Sequence, residues 1–192
     1  MQPIRKAIQK GFTLVELLIV VIILALLAAI VVPQFASSTD DAKLASLDTT
    51  LSNLRSAIDL YYQQHGEYPG ASTAVPVAAC TGTTSGTGTG GAGAQGVQAF
   101  ADQMSLYTEA TGGACSVKDA NFKFGPYLKK STLPANPITT VATFEVINTG
   151  DLDMSGTAVD LGWKYDVLVG KFIANDTTDP DGAGPEVSYD QR

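Results

Sequence analysis

The apolar positions fall into three patterns along the chain. Residues 12–32 read FTLVELLIVVIILALLAAIVV, a run in which 19 of 21 side chains are apolar and Thr13 and Glu16 are the exceptions. A run this long without periodicity predicts a helix that is apolar on every side. As an α-helix it spans about 31 Å, the thickness of a bilayer's hydrocarbon core. Residues 42–66 then take on a helical period. Leu44, Leu47, Leu51, Leu54, Ile58 and Tyr61 follow at three- and four-residue steps, with Lys43, Asp48, Asn53, Arg55 and Asp59 off the stripe. That predicts a helix with one buried face, too short to argue for a coiled coil, with Gly66 as its left-handed terminator. The C-terminal third alternates. Thr139 to Ile147, Leu152 to Val159 at an edge, Trp163 to Val169, and Lys171 to Ala174 after a turn at Gly170 predict antiparallel strands.

The middle of the chain is different. Residues 68–101 carry no charged side chain, and 70–97 hold eight glycines among many Thr, Ser and Ala, which predicts a flexible surface loop. Gly88 to Gly93 matches GxGxxG in its letters, but without a preceding strand it carries no dinucleotide assignment. Val97, Phe100, Met104 and Tyr107 predict a short helix closed by Gly112-Gly113. Cys80 and Cys115 flank this region. Outside the cytoplasm they read as a disulfide, which would restrict the unfolded chain by about 3–4 kcal/mol. Two free buried thiols are the alternative.

Charge changes the picture in three places. The chain has 12 basic and 19 acidic residues and a net charge of −7, so no nucleic-acid partner is expected. Residues 1–11 carry Arg5, Lys6 and Lys10 and no acid, while Asp40 and Asp41 open the far side of the apolar run. The positive-inside rule then places the N-terminus in the cytoplasm and the bulk outside. A secretory signal peptide is the alternative, but its apolar region is shorter, about 7–15 residues. Residues 138–192 hold ten acids and three bases. Among them Asn175, Asp176, Asp179, Asp181 and Glu186 crowd a Gly- and Pro-rich stretch, an oxygen-rich set suited to Ca²⁺; a solvated acidic tail is the alternative. Asn175-Asp176-Thr177 is formally a glycosylation sequon. His65 is the sole histidine, and no GxSxG, HExxH or Walker A pattern is present, so the chain does not read as an enzyme.

Glu16 is the anomaly. A carboxylate within a membrane helix costs about 2.5–3.5 kcal/mol at the centre and less near an end. No Lys, Arg or His lies between Phe12 and Gln34, so a cationic partner must come from another chain or from a newly made amino terminus. Snorkelling to the interface or protonation is the alternative.

Lys10-Gly11-Phe12-Thr13-Leu14-Val15-Glu16 resembles the cleavage signature of type IV prepilins and type II secretion pseudopilins. The resemblance implies a leader, residues 1–11, cut after Gly11 by the prepilin peptidase. It implies a methylated Phe12 as the new terminus. Glu16, then the fifth residue, would pair with the Phe12 amine of a neighbouring subunit. Pro33 stands where the family often bends its helix, a stop at the membrane edge being the plainer reading. His65-Gly66-Glu67-Tyr68-Pro69 is similar to the GxYP that ends this helix in many relatives. Phe124 to Leu128, Leu133 to Pro137 and Gly162 to Asp166 are similar to G-like pseudopilins.

The fold implied is α+β, with a long N-terminal helix, transmembrane in its first half, packed on a small antiparallel sheet. Its parts are 1–11 leader, 12–33 membrane and filament-core helix, 34–66 second helical half, 67–137 loop region with the disulfide, 138–175 sheet and 176–192 acidic tail. The function implied is a homopolymeric filament subunit, foremost a G-like major pseudopilin of type II secretion. A type IV pilin of a surface fibre is the alternative, and a non-assembling membrane-anchored binding module a more distant one. The partners implied are the prepilin peptidase and an inner-membrane assembly platform. No cofactor is required; by analogy with major pseudopilins, Asp176, Asp179, Asp181 and Glu186 are the candidate ligands for an optional Ca²⁺. The location implied is the bacterial inner membrane, then a periplasmic or extracellular filament. Loss of Arg5, Lys6 and Lys10 with the leader would take the net charge from −7 to −10.

Overall fold

The computed structural model describes residues 12–151, 154 and 161–175, with side chains omitted over 32–37. The leader, the expected edge strand from Leu152 to Val159 and the acidic tail from Asp176 onward therefore lie wholly or almost wholly outside the described residues. Helix α1 (Leu14–His65) is the longest element. The chain divides into two compact units, Met1–Ala42 and Lys43–Arg192.

In the first unit, among the described residues, no other element packs on α1. Leu14–Val31 has a mean hydropathy of 3.3 and none of it is buried within the chain. Such a helix is long and apolar enough to cross a membrane.

In the second unit α1 becomes amphipathic, as the periodicity predicts. Leu47, Leu51, Leu54, Ile58 and Tyr61 are buried and Leu44 packs beside them. Each large side chain removed from water contributes about 1.5–3 kcal/mol. The stripe meets Phe100, Met104, Leu133, Val146, Trp163, Tyr165, Val167, Phe172 and Ala174 in one core. Gly66 ends the helix at φ +75°, its N–H donating to the Tyr62 carbonyl at 2.8 Å. A left-handed residue there satisfies an otherwise open helix end.

Helix α2 (Gly93–Ser105) follows the glycine-rich segment and buries Phe100 and Met104. It stops earlier than the apolar spacing predicts. Leu106 turns extended, and Tyr107 is drawn into strand β1 (Tyr107–Thr108). That strand pairs antiparallel with β2 (Ala114–Cys115). Gly112 and Gly113 close this hairpin and not the helix: Glu109 donates to Gly113 O at 2.9 Å and Gly112 to Glu109 O at 2.9 Å.

A second sheet is built from β3 (Phe144–Ile147), β4 (Trp163–Asp166) and β5 (Phe172–Ala174), with β4 central. β4 and β5 are antiparallel around the turn at Gly170, as expected. The pairing of β3 with β4 corrects the expectation: it is parallel, with Phe144 opposite Trp163 and Ile147 opposite Asp166. The fifteen residues 148–162 are long enough for the crossover that a parallel pair needs, about a dozen residues. Strand β3 also begins later than Thr139. Asn136 folds the chain into a turn there, accepting from Thr140 N at 2.8 Å and donating to Val141 O at 2.9 Å through its own backbone. Its buried side chain meanwhile holds Gly162 O at 2.8 Å and Ile138 N at 2.8 Å.

The glycine-rich segment is not a loose loop. Its glycines let backbone pack on backbone: a Cβ on Gly88 would collide with the α2 backbone at Ala99. Ala74 N donates to Gly88 O at 2.8 Å, and Ala114 N to Ala74 O at 2.8 Å. Low complexity here reflects close packing of small residues.

Candidate functional site

The start of α1 carries the residues with the sharpest chemical demand. Thr13 is the N-cap, and its relation to Glu16 is reciprocal. Thr13 N donates to Glu16 Oε2 at 2.8 Å and Thr13 Oγ1 donates to the same oxygen at 2.8 Å. Glu16 N lies 3.2 Å from Thr13 Oγ1. This is a capping box, which satisfies orphan donors of the first turn while holding the carboxylate against its own helix. The signal was present in the sequence as Thr-x-x-Glu, but it is easily overlooked inside an apolar run.

Glu16 therefore has hydrogen-bond partners in its own chain before any cation reaches it. Its Oε2 is engaged by Thr13, and no described cation lies in this unit. Phe12 is 89% exposed, and Phe12, Glu16, Leu17, Ile19 and Val20 border a shallow apolar depression. Gly11 lies outside the described residues. Pro33 falls within α1, in the stretch whose side chains are not described.

In the second unit Cys80 and Cys115 are bonded, so the disulfide reading holds and the free-thiol alternative falls. The segment it closes has three further ties that the hydrophobic pattern could not reveal. Asp102 accepts from Thr87 N at 2.8 Å and Gly88 N at 3.2 Å, and from Gln98 Nε2 at 2.9 Å. Gln103, fully buried, accepts from Gly70 N at 2.7 Å and donates to Gly112 O at 3.1 Å. Glu109 accepts from Val77 N at 2.6 Å and Ala78 N at 3.2 Å.

His65 sits at the end of α1, stacked on Tyr61 with ring centroids 4.0 Å apart. Its Nδ1 lies 3.0 Å from Tyr61 O, which can only accept, so Nδ1 carries the proton. Nε2 then accepts from Thr108 Oγ1 at 3.0 Å. Burial lowers its pKa from the ordinary 6.5, against the raising effect of hydrogen bonds to the Tyr61 and Glu109 backbone. The arrangement ties helix to hairpin. At the other end of the unit, partial burial pushes Asp166 up. Hydrogen bonds from Leu168 N, Thr149 Oγ1 and Gly150 N outweigh it and hold the carboxyl below its ordinary 3.8.

Asp176, Asp179, Asp181 and Glu186, the residues expected to hold Ca²⁺, lie outside the described residues. Among the described residues no group of three or more His, Cys, Asp or Glu side chains is placed to hold a metal.

Residues 6–32 match the family model of the prokaryotic N-terminal methylation motif. The fimbrial protein of Neisseria meningitidis serogroup B is 41% identical over 71 residues, 37% of this chain and 42% of that protein. The type IV narrow pilus major component PilA5 of Thermus thermophilus is 48% identical over 48 residues, 25% of this chain and 41% of that protein. The type II secretion system core protein G of Pseudomonas aeruginosa is 43% identical over 61 residues, 32% of this chain and 43% of that protein. The chain thus spans less than half the length of these relatives. No solved structure matches it at a significant level. In its N-terminal part, a methylation motif at the head of an exposed apolar helix, the chain is thus similar to type IV pilins and to a type II secretion core protein.

Proposed function

We propose that the chain is the structural subunit of a type IV pilus-like filament. The prepilin peptidase cuts it after Gly11 and Phe12 is methylated. The helix over 12–33 holds it in the bacterial inner membrane with the N-terminus cytoplasmic. An assembly platform then moves it into a polymer whose core is made of these helices. No catalytic role is part of this reading.

The observation that carries it is Glu16 on a helix with no internal partner. Leu14–Val31 exposes its whole circumference, so it is stable only in lipid or among copies of itself. Within that apolar surface stands one carboxylate with Oε2 bound to Thr13. Cleavage at Gly11 would create an ammonium group at Phe12, the cation that the run otherwise lacks. A carboxylate and an ammonium that are each costly in a dry helix bundle become tolerable together, and a misregistered subunit leaves one of them unpaired. The test is Glu16→Ala: it should insert into the membrane at wild-type level and yield few filaments. Filaments in normal amount would refute the pairing account.

The filament has two candidate settings. The disulfide-tied segment and the greater length support a surface pilus. The similarity of Gly162 to Asp166 to G-like pseudopilins, and the acidic tail, support a secretion pseudopilus. Deleting the gene separates them: loss of shearable surface fibres indicates the first, and loss of an exported protein with fibres intact indicates the second.

A further inference from the structure

The basic residues of the second unit are unevenly placed. Lys118, Lys123, Lys129 and Lys130 fall within thirteen residues, with Asp119 the sole acid among them. All four are exposed. Lys118 and Lys123 lie over the rings of Tyr107 and Phe124, at 6.0 and 5.2 Å from the centroids. Lys129 and Lys130 border a groove with Thr84, Gln98, Ser105 and Leu106. Asp102 also lines it, but its oxygens are engaged by Thr87 N, Gly88 N and Gln98 Nε2. Lys43, Arg55, Lys164 and Lys171 each have an interaction partner, whereas Lys129 and Lys130 make no hydrogen bond or ion pair with a described residue. The groove therefore sets two lysines against one buried carboxylate and keeps a net positive charge.

The matching charge lies at the other end of the chain. Residues 176–192 carry Asp176, Asp179, Asp181, Glu186 and Asp190 against a single base, Arg192. We propose that the groove at Lys129 and Lys130 receives this acidic C-terminal segment of the adjacent copy in the filament. The inference rests on the filament reading above. Subunits of like net charge repel when stacked. A homopolymer overcomes that repulsion if the basic strip of each copy meets the acidic segment of the next. Seventeen residues beyond Asn175 can reach at most about 56 Å, more than the width of a domain of this size, about 40 Å. The groove is hydroxyl-rich and open, so the contact is wet and weakens with salt.

The test uses filaments of the full chain assembled from two co-expressed copies. One carries Lys129→Gln and Lys130→Gln with its tail intact. The other keeps both lysines and has Asp176, Asp179, Asp181, Glu186 and Asp190 changed to their amides. Carbodiimide then joins a groove lysine to a tail carboxylate only across two copies. The expected result is that cross-link, found by peptide mass spectrometry. In a separate strain Lys129→Glu with Lys130→Glu should lower filament yield about ten-fold, and adding Asp179→Lys with Asp181→Lys should restore it. A thermal melt of each detergent-solubilised variant that matches wild type shows that the variants fold. Wild-type filaments without the inter-copy cross-link, a wild-type cross-link confined to single chains, or a yield that the second charge reversal leaves low would each overturn the inference alone. Wild-type chains that form no filament would overturn the filament reading, and this inference with it.

Discussion

Gln103 is fully buried on α2 and engages Gly70 N, Ser72 O, Thr73 O and Gly112 O with one side-chain amide. Replacing it with leucine keeps the volume and strands those backbone groups, each of which loses water and gains no partner. Gln103→Leu should therefore lower stability by about 2–4 kcal/mol, read from the thermal melt of the detergent-solubilised chain by near-UV dichroism of Trp163. Tyr165 gives the opposite case. It is buried between Phe100 and Phe172, and among the described residues its hydroxyl finds no hydrogen-bond partner. Removing that oxygen loses no bond, so Tyr165→Phe should leave the melt within about 1 kcal/mol of wild type or raise it. A marked loss would mean that the hydroxyl has a partner after all. Neither role was legible in the sequence. A Gln at a stripe edge and a Tyr in a strand look alike whether their polar atoms are satisfied or orphaned, because that depends on distant backbone.

At the scale of elements, legibility followed periodicity. The stripe from Leu44 to Tyr61 and its glycine stop were readable because a 3.6-residue repeat has one physical meaning. The direction of β3 was not readable, because alternation is the same in parallel and antiparallel strands and only the crossover through 148–162 decides it. The order of the glycine-rich segment was hidden for another reason. Its ties are the buried carboxylates of Asp102 and Glu109, which a hydrophobic pattern scores as surface. Those ties shape the effect of removing the disulfide. Cys80→Ser with Cys115→Ser should cost about 3–4 kcal/mol yet keep one cooperative melt, since the polar ties remain. Loss of the transition would show that the bond alone holds this region.

The end of α1 adds a pH dependence. Burial keeps His65 neutral in the fold, with its pKa below 6.5, so between those values the unfolded chain binds more protons. Stability is then greatest above 6.5 and falls as pH drops toward the lowered value. Asp166 acts in the same direction at more acid pH, below 3.8. His65→Gln should remove the first decline and leave the second. A melting temperature that falls equally in wild type and His65→Gln between pH 6.5 and 5 would contradict this assignment.

At the scale of the whole molecule, the proposed function makes one demand of the apolar run, that it be stable first in lipid and then among copies of itself, while the acidic balance of the chain works against the second. That the helix is apolar on every side was legible from the run itself. The capping box has its spacing in the sequence, Thr13 to Glu16, but the bonds themselves belong to the structure, and they hold the carboxylate against its own helix. The whole account depends on a chain that begins at Phe12, because the amine that would meet Glu16 exists only after cleavage. Intact mass and N-terminal peptide analysis of the subunit from its native membrane tests this most directly. The account predicts a chain beginning at N-methylated Phe12 with residues 1–11 gone, and a chain still beginning at Met1 would contradict it.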